Sequence, residues 1–273
     1  MSVNPDLRAL DIDIPAQPQA LVHLSLLLAE DDLNLQDASA LIEGDMALAA
    51  AVLKAVNSSL YGLRGRVQSV QQAITYLGMR EIAAITFEMG LRAAFPAAPE
   101  LEPLWQRAAQ RGSVMARLAQ RLSLDAWAAH SAGLFEECGK AVLFRFSAEH
   151  YRAMLRATSD DTDLAQLEQA GFGVSHDALG AALCESWGLG PTAVGSVRHH
   201  VLAQATLALP EHRSKRAMCA LSVLAHRLCH APQALDEAVR VLAPATELDL
   251  TLVTRAVRQV QEQLAQSLAH ARD

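Results

Sequence analysis

Residues 133–140 read Gly-Leu-Phe-Glu-Glu-Cys-Gly-Lys and set two carboxylates, Glu136 and Glu137, side by side in an apolar run. Leu134 and Phe135 precede the pair, and Cys138, Ala141, Val142 and Leu143 follow it. Adjacent carboxylates on a mostly buried helix are costly unless something pairs with them. Whatever pairs with them decides the chemistry. The downstream candidates are His176, the doublet His199 and His200, and His226. Glutamate and imidazole are both competent ligands for a divalent ion, and a hydrolytic centre needs several of them converging with one position open for water. Consecutive residues of a helix point about 100° apart, however, so only one of the two glutamates is expected to face a given point.

The elements that must position these groups are helical. The chain has 273 residues, 51% of them hydrophobic and only 4% aromatic, with Ala and Leu dominant, a composition that favours helices packed on helices over a sheet. The net charge is −7 and there is no run of Lys or Arg, which argues against a broad nucleic-acid footprint. The polar, acidic start lacks the features of a signal peptide. Leu21 to Ala29 is too short to span a bilayer, so no membrane association and a cytoplasmic protein are expected. Cys138, Cys184, Cys219 and Cys229 form no CxxC pair and read as reduced, mostly buried thiols.

Helices are predicted from about Pro18 to Glu30, broken by Asp31, Asp32 and Asn34; then to Glu43; and over Met46–Val56, capped by Asp45 and stopped by Asn57 and Ser58. Leu60 to Gln68, with Gly62 and Gly65, reads as a loop whose Arg64 and Arg66 are more simply solvated than ligand-holding. Ser69 and Gln72 form a capping box for the next helix, Gly78 closes it, and another follows to Phe95. Pro96, Pro99 and Pro103 mark a boundary between an N-terminal helical lobe (1–96) and a larger C-terminal lobe (97–273). Further helices are predicted over about Leu104–Leu122, Ala126–Phe146, from a Ser147 cap onward, and to Ala170. Others follow a Ser175 cap, begin at Pro191, and run over Ser214–Cys229 and Leu250–Ala269. The last is amphipathic through Val253, Ala256, Val257, Val260, Leu264 and Leu268, and offers a surface for a possible homodimer. Trp105 and Trp187 read as core anchors.

In this frame the chain resembles the HDOD domain, the HD-related output domain of bacterial signalling proteins. The first match is Asp45-Met46, then Asn57-Ser58-Ser59-Leu60-Tyr61, then Ala73-Ile74-Thr75-Tyr76-Leu77-Gly78. The second is Phe172-Gly173-Val174-Ser175-His176, then Leu179-Gly180 and Trp187-Gly188-Leu189, closed by His199-His200. The resemblance covers about residues 14–230 as a single unit, and implies an all-α, HD-domain-like helical bundle with an N-terminal helical lobe.

The resemblance also implies what the site has lost. Related HD-type phosphohydrolases carry a His in a Trp-x-His segment, then His-Asp, then further His residues and an Asp, which hold divalent metals that activate water. Here Trp105-Gln106-Arg107 puts Arg107 at the first His, Glu136-Glu137 stand at His-Asp, and His226 falls about where the last Asp would be. His176, His199 and His200 match as they stand. An arginine at that place brings a fixed positive charge that pairs with a carboxylate and repels a metal. The expectation is a degenerate site of ion pairs, with no catalytic residue, no metal and no cofactor. The histidines at 199 and 200 have a second reading, as groups bonding carbonyls near a helix end.

The function expected is a non-catalytic signal-transduction module that binds a signalling protein supplied in trans, since the chain carries no receiver, cyclase or kinase region, and no nucleic acid. Two alternatives stand beside it. One is a metal-dependent phosphohydrolase or phosphodiesterase of the HD type. The other is a nucleotide or anion sensor working between the lobes through Arg107 and the histidines.

Overall fold

The structure, a computed structural model, describes residues 12–28, 34–57 and 67–270. Among these residues it is helical throughout, with no strand. They fall into two compact units, residues 16–96 with 265–270, and residues 12–15 with 97–264. The predicted stops at Asp31, Asp32 and Ser58, and the loop carrying Arg64 and Arg66, lie outside the described residues.

The smaller unit holds α1 (Gln19–Leu28), α2 (Leu35–Glu43), α3 (Met46–Val56), α4 (Val70–Leu77) and α5 (Met79–Ala93). Its helix starts follow local chemistry. Asp45 accepts the backbone N–H groups of Ala47 and Leu48, both at 3.0 Å, satisfying donors that the first turn leaves unpaired. Ser69 accepts from Gln72 N at 3.1 Å, and the Gln72 side chain reaches back to Gln68 N at 2.8 Å. Asn57 ends α3 and bonds the backbone of Val67 through both its amide atoms. Leu21, Leu24, Ile42, Val52, Val56 and Ile82 fill the core of this unit.

The larger unit follows a short 3-10 turn (Pro99–Leu101). It comprises α6 (Glu102–Arg121), α7 (Ala126–Phe135), α8 (Cys138–Phe146), α9 (Ala148–Ala157), α10 (Asp161–Phe172), α11 (His176–Ser186), α12 (Pro191–Thr206), α13 (Arg213–His230), α14 (Leu235–Ala245) and α15 (Leu250–His270). Trp187 is buried, donating its ring N–H to Pro15 O at 2.8 Å and meeting Phe135 edge-on. Trp105 is buried as well. The four cysteines are free thiols.

Four expectations need correction. The predicted helix over 126–146 is two helices, broken at Glu136 and Glu137. The stretch between Cys229 and Leu250, where no element was predicted, forms the helix α14, with Pro244 in its last turn, where a proline does not prevent the helix. Ser147 and Ser175 precede helices without capping them: Ser147 Oγ bonds His150 Nδ1 and Ser175 Oγ bonds the Asp177 carboxylate. The apolar face of α15 is also spoken for, since Val253, Ala256, Val257 and Val260 are buried in this unit's own core with Leu118, Leu221 and Leu242.

Two glycines let the helices that carry charge come close. A Cβ on Gly133 would lie 2.8 Å from Gly112 N on α6, and one on Gly139 would lie 1.8 Å from His176 O on α11. The obstacle at Gly139 is backbone, which cannot swing aside. Gly139→Ala is expected to cost upward of about 3 kcal/mol of stability, the upper range for overpacking. A urea denaturation series checks this, and a loss below about 1 kcal/mol would mean the two helices can separate cheaply.

Candidate functional site

The break at Glu136–Glu137 has a direct consequence. Glu136 keeps helical dihedrals (φ −53°, ψ −41°), but Glu137 turns (φ −96°, ψ 1°) before α8 begins. Both carboxylates therefore reach the same guanidinium, contrary to the expectation for one continuous helix. Arg111, on α6 and only 3% exposed, places Nη2 at 3.1 Å from Glu137 Oε1. Its Nη1 lies 3.1 Å from Glu136 Oε2, a charge contact without the direction of a hydrogen bond.

Glu137 is the centre of the charge cluster. Arg107, one turn before Arg111, donates Nη2 to Oε2 at 2.6 Å, with Nε at 3.1 and 3.2 Å from the two oxygens. Lys140 Nζ is 3.5 Å from Oε2. Burial alone would raise the Glu137 pKa, but Lys140, Arg111 and Arg107 outweigh it and hold the carboxyl well below the usual range. Glu136 has less help. Arg111 and the Gln204 side chain, at 3.1 Å, meet one of its oxygens, and Oε1 has no partner. Burial pushes its pKa up to about 7, with Arg111 opposing. One member of the pair is thus a fixed anion, and the other titrates near neutrality.

Beside this cluster lies a second one. Lys140 also bonds Asp161 Oδ1 at 2.6 Å, at the first turn of α10. Burial would raise the Asp161 pKa, but Lys140 overrides it and the net shift is downward. A carboxylate oxygen of Asp161 and one ring nitrogen each of His176 and His200 lie within 4.8 Å of one another. Both histidines are fully buried, with ring centroids 5.4 Å apart. Their Nδ1 atoms are taken up by Glu168 Oε2 and Val197 O, each at 2.7 Å, while neither Nε2 has a partner. Glu168 is itself buried and held by Tyr151 OH at 2.6 Å and by the His176 backbone N–H at 2.7 Å. Burial, with His176 adding to it, lowers the His200 pKa to about 3.

The residues singled out in the sequence therefore divide. Arg107, Glu136 and Glu137 converge on one ion-pair centre, and His176 and His200 on the neighbouring cluster. His199 bonds Gly195 O one turn back on its own helix at 2.7 Å, inside α12 and not at its end. His226 lines a cavity of about 600 Å³ in this unit, with its ring 5.3 Å from that of His230. Burial and then Arg111 lower its pKa to about 4. Arg107, Lys140, Asp161 and Gln204 line the same cavity.

Sequence reasoning missed Arg111, Lys140, Asp161 and Glu168. Arg107 and Arg111 stand four apart on one helix, and Lys140 three after Glu137, so helical spacing could have found both. Asp161 and Glu168 carry no such signal, because their partners Lys140 and Tyr151 lie 21 and 17 residues away in sequence.

Glu137, which the resemblance would assign to a hydrolytic metal, does not fit one. A metal ligand must offer a free lone pair, whereas Glu137 accepts from a guanidinium fork at one oxygen and meets two further cations.

The family described as HDOD domain matches residues 14–202 of the chain. An uncharacterised protein of Treponema pallidum is 28% identical over 195 residues, and the match spans 37% of that protein's length. Among solved structures, a candidate signal transduction protein from Marinobacter aquaeolei superposes with a TM-score of 0.76 at 21% identity, covering 99% of this chain and 67% of that one. An HDOD domain protein of unknown function from Geobacter sulfurreducens gives 0.73 at 19%, covering 97% and 94%. A candidate phosphohydrolase from Shewanella amazonensis gives 0.71 at 18%, covering 98% and 97%. At these identities the structures speak for a shared fold. Among the described residues no helix is long and apolar enough to cross a membrane.

Proposed function

We propose, since the chain belongs to the HDOD domain family, that it is a non-catalytic output module that acts by binding another signalling protein. The observation that carries this reading is the state of Glu137. Its two oxygens are engaged by Arg107, Arg111 and Lys140, so the carboxylate at the position of an HD aspartate is neutralised by the protein's own cations. Activating a water there would require displacing a guanidinium fork and leaving buried charge behind, which costs several kcal/mol. The resemblance to bacterial output domains supports the protein partner. The net charge of −7 supports one that is not nucleic acid.

The full chain, supplied in turn with Mg²⁺, Mn²⁺ and Fe²⁺, is expected to leave nucleoside triphosphates, cyclic dinucleotides and p-nitrophenyl phosphate intact. Turnover that Glu137→Gln or Arg107→Ala abolishes, without a change in far-UV circular dichroism, would establish the HD-type hydrolase instead. Nucleotides and inorganic phosphate are expected to leave the melting temperature unmoved. A rise would favour the anion sensor, since a ligand of the folded state raises apparent stability.

A further inference from the structure

We propose that Asp161, His176 and His200 form a binding site for one divalent transition-metal ion, and that the ion competes with the Lys140 ammonium for the Asp161 carboxylate. This set shares His176 and His200 with the positions the HD resemblance assigns. It omits Arg107, Glu136, Glu137, His199 and His226, and it takes its carboxylate from the first turn of α10, a position with no motif.

Four observations carry it. First, the ligand atoms already lie within 4.8 Å of one another, and bonds of about 2.0–2.1 Å put neighbouring ligands about 3.3 Å apart in a tetrahedral site. His176 and His200 are fixed by packing, while the half-buried Asp161 side chain has the freedom to close the remainder. Second, the imidazoles are oriented as metal ligands are. A backbone carbonyl only accepts, so His200 Nδ1 must donate to Val197 O, which leaves Nε2 with its lone pair. His176 Nδ1 faces the Glu168 carboxylate, the outer partner that raises ligand basicity.

Third, both Nε2 atoms are buried without a partner, and a buried polar atom left unpaired is costly. Two such atoms beside one carboxylate, on helices held by core packing, are what a cation would satisfy. Fourth, the charge is suitable. Asp161 and Glu168, the carboxylates next to the two imidazoles, face one cation, Lys140, which sits on Asp161. Asp161 lines the cavity and so gives an ion a way in. Lys140 Nζ, 2.6 Å from Asp161 Oδ1 and 3.5 Å from Glu137 Oε2, is the cation that must yield. On release it can settle on Glu137. Ion binding would in this way pass a charge movement from α10 to the α7–α8 break.

The test uses the full chain stripped with a chelator, with Co²⁺ as the probe, because its visible absorption reports ligand type and coordination number with no need for activity. Zn²⁺ calorimetry gives stoichiometry alongside. The expected result is one saturable ion per chain with the strong absorption of a low-coordinate nitrogen and oxygen site. Asp161→Asn, at a half-exposed position, is expected to weaken binding by about tenfold or more, and His200→Gln by at least as much. His226→Ala with His230→Ala is expected to change nothing. Lys140→Met is expected to tighten binding by about tenfold, as it removes the competitor. The site is overturned if no stoichiometric ion binds. It is equally overturned if binding survives Asp161→Asn and His200→Gln, or if it is lost only with His226 and His230. An unchanged affinity in Lys140→Met overturns the competition. Far-UV circular dichroism and the urea midpoint of each variant before metal addition separate ligand loss from unfolding. If His200→Gln does not fold, Asp161→Asn decides.

Discussion

Arg111→Met is expected to lower the unfolding free energy by about 3–5 kcal/mol, the cost of leaving buried charge without its partner. The guanidinium is 3% exposed and lies 3.1 Å from a carboxylate oxygen of each glutamate. Methionine fills much of the same volume but carries no charge. Glu137 would keep Arg107 and Lys140, whereas Glu136 would keep no cation, only the neutral Ser222 and Gln204 side chains. The damage should therefore fall mainly on Glu136, and the double variant with Glu136→Gln should recover part of it. A coupling energy of about 1–3 kcal/mol between the two sites is expected from a double-mutant cycle in urea. A single-variant cost under about 1 kcal/mol would mean that water reaches the glutamates and Arg111 is not what neutralises them. Arg107→Ala is a weaker perturbation by comparison, because that side chain is 39% exposed and solvent screens what remains.

The second large effect is in the pH dependence of stability. Burial raises the Glu136 carboxyl from the ordinary 4.5 to about 7. Its folded-state pKa lies above the unfolded one, so its contribution is fully present below about pH 4.5 and is lost as pH rises through 7. A displacement of that size is worth about 3 kcal/mol at 1.36 kcal/mol per unit. Glu136→Gln keeps the shape and the amide contact without the titration. The stability of the variant relative to wild type is therefore expected to improve by about 3 kcal/mol between pH 4.5 and pH 8.

The histidines pull the other way. His130, His200 and His226 are depressed from 6.5 to about 4, 3 and 4, chiefly by burial, so the fold loses stability as pH falls below 6.5. Glu137 and Asp161, both shifted downward, add a loss at lower pH still, as they become protonated. These contributions are common to both chains and cancel in the difference. A difference curve that stays flat from pH 4.5 to 8 would show that Glu136 does not titrate in that window.

Much of the framework was legible in the sequence because its causes are local. Asp45 announces α3 through the hydrogen bonds its side chain can make one turn ahead, and Ser69 with Gln72 does the same for α4. The apolar spacing of Val253, Ala256, Val257 and Val260 marked the buried face of α15, though not what would cover it.

The sequence alone pointed to Glu136 and Glu137 needing partners, since adjacent carboxylates on a mostly buried helix are costly without them. Which partners they found was decided by the tertiary structure. The turn at Glu137 aims both carboxylates at one guanidinium, and the close crossing at Gly133 brings Arg111 to them. Lys140 meets Asp161 across 21 positions of chain, and His176 meets His200 across helices with no shared periodicity. Helical spacing governs neighbours three or four residues apart. Charges on different helices converge only where packing fixes the axes, and there the long-range geometry decides the chemistry.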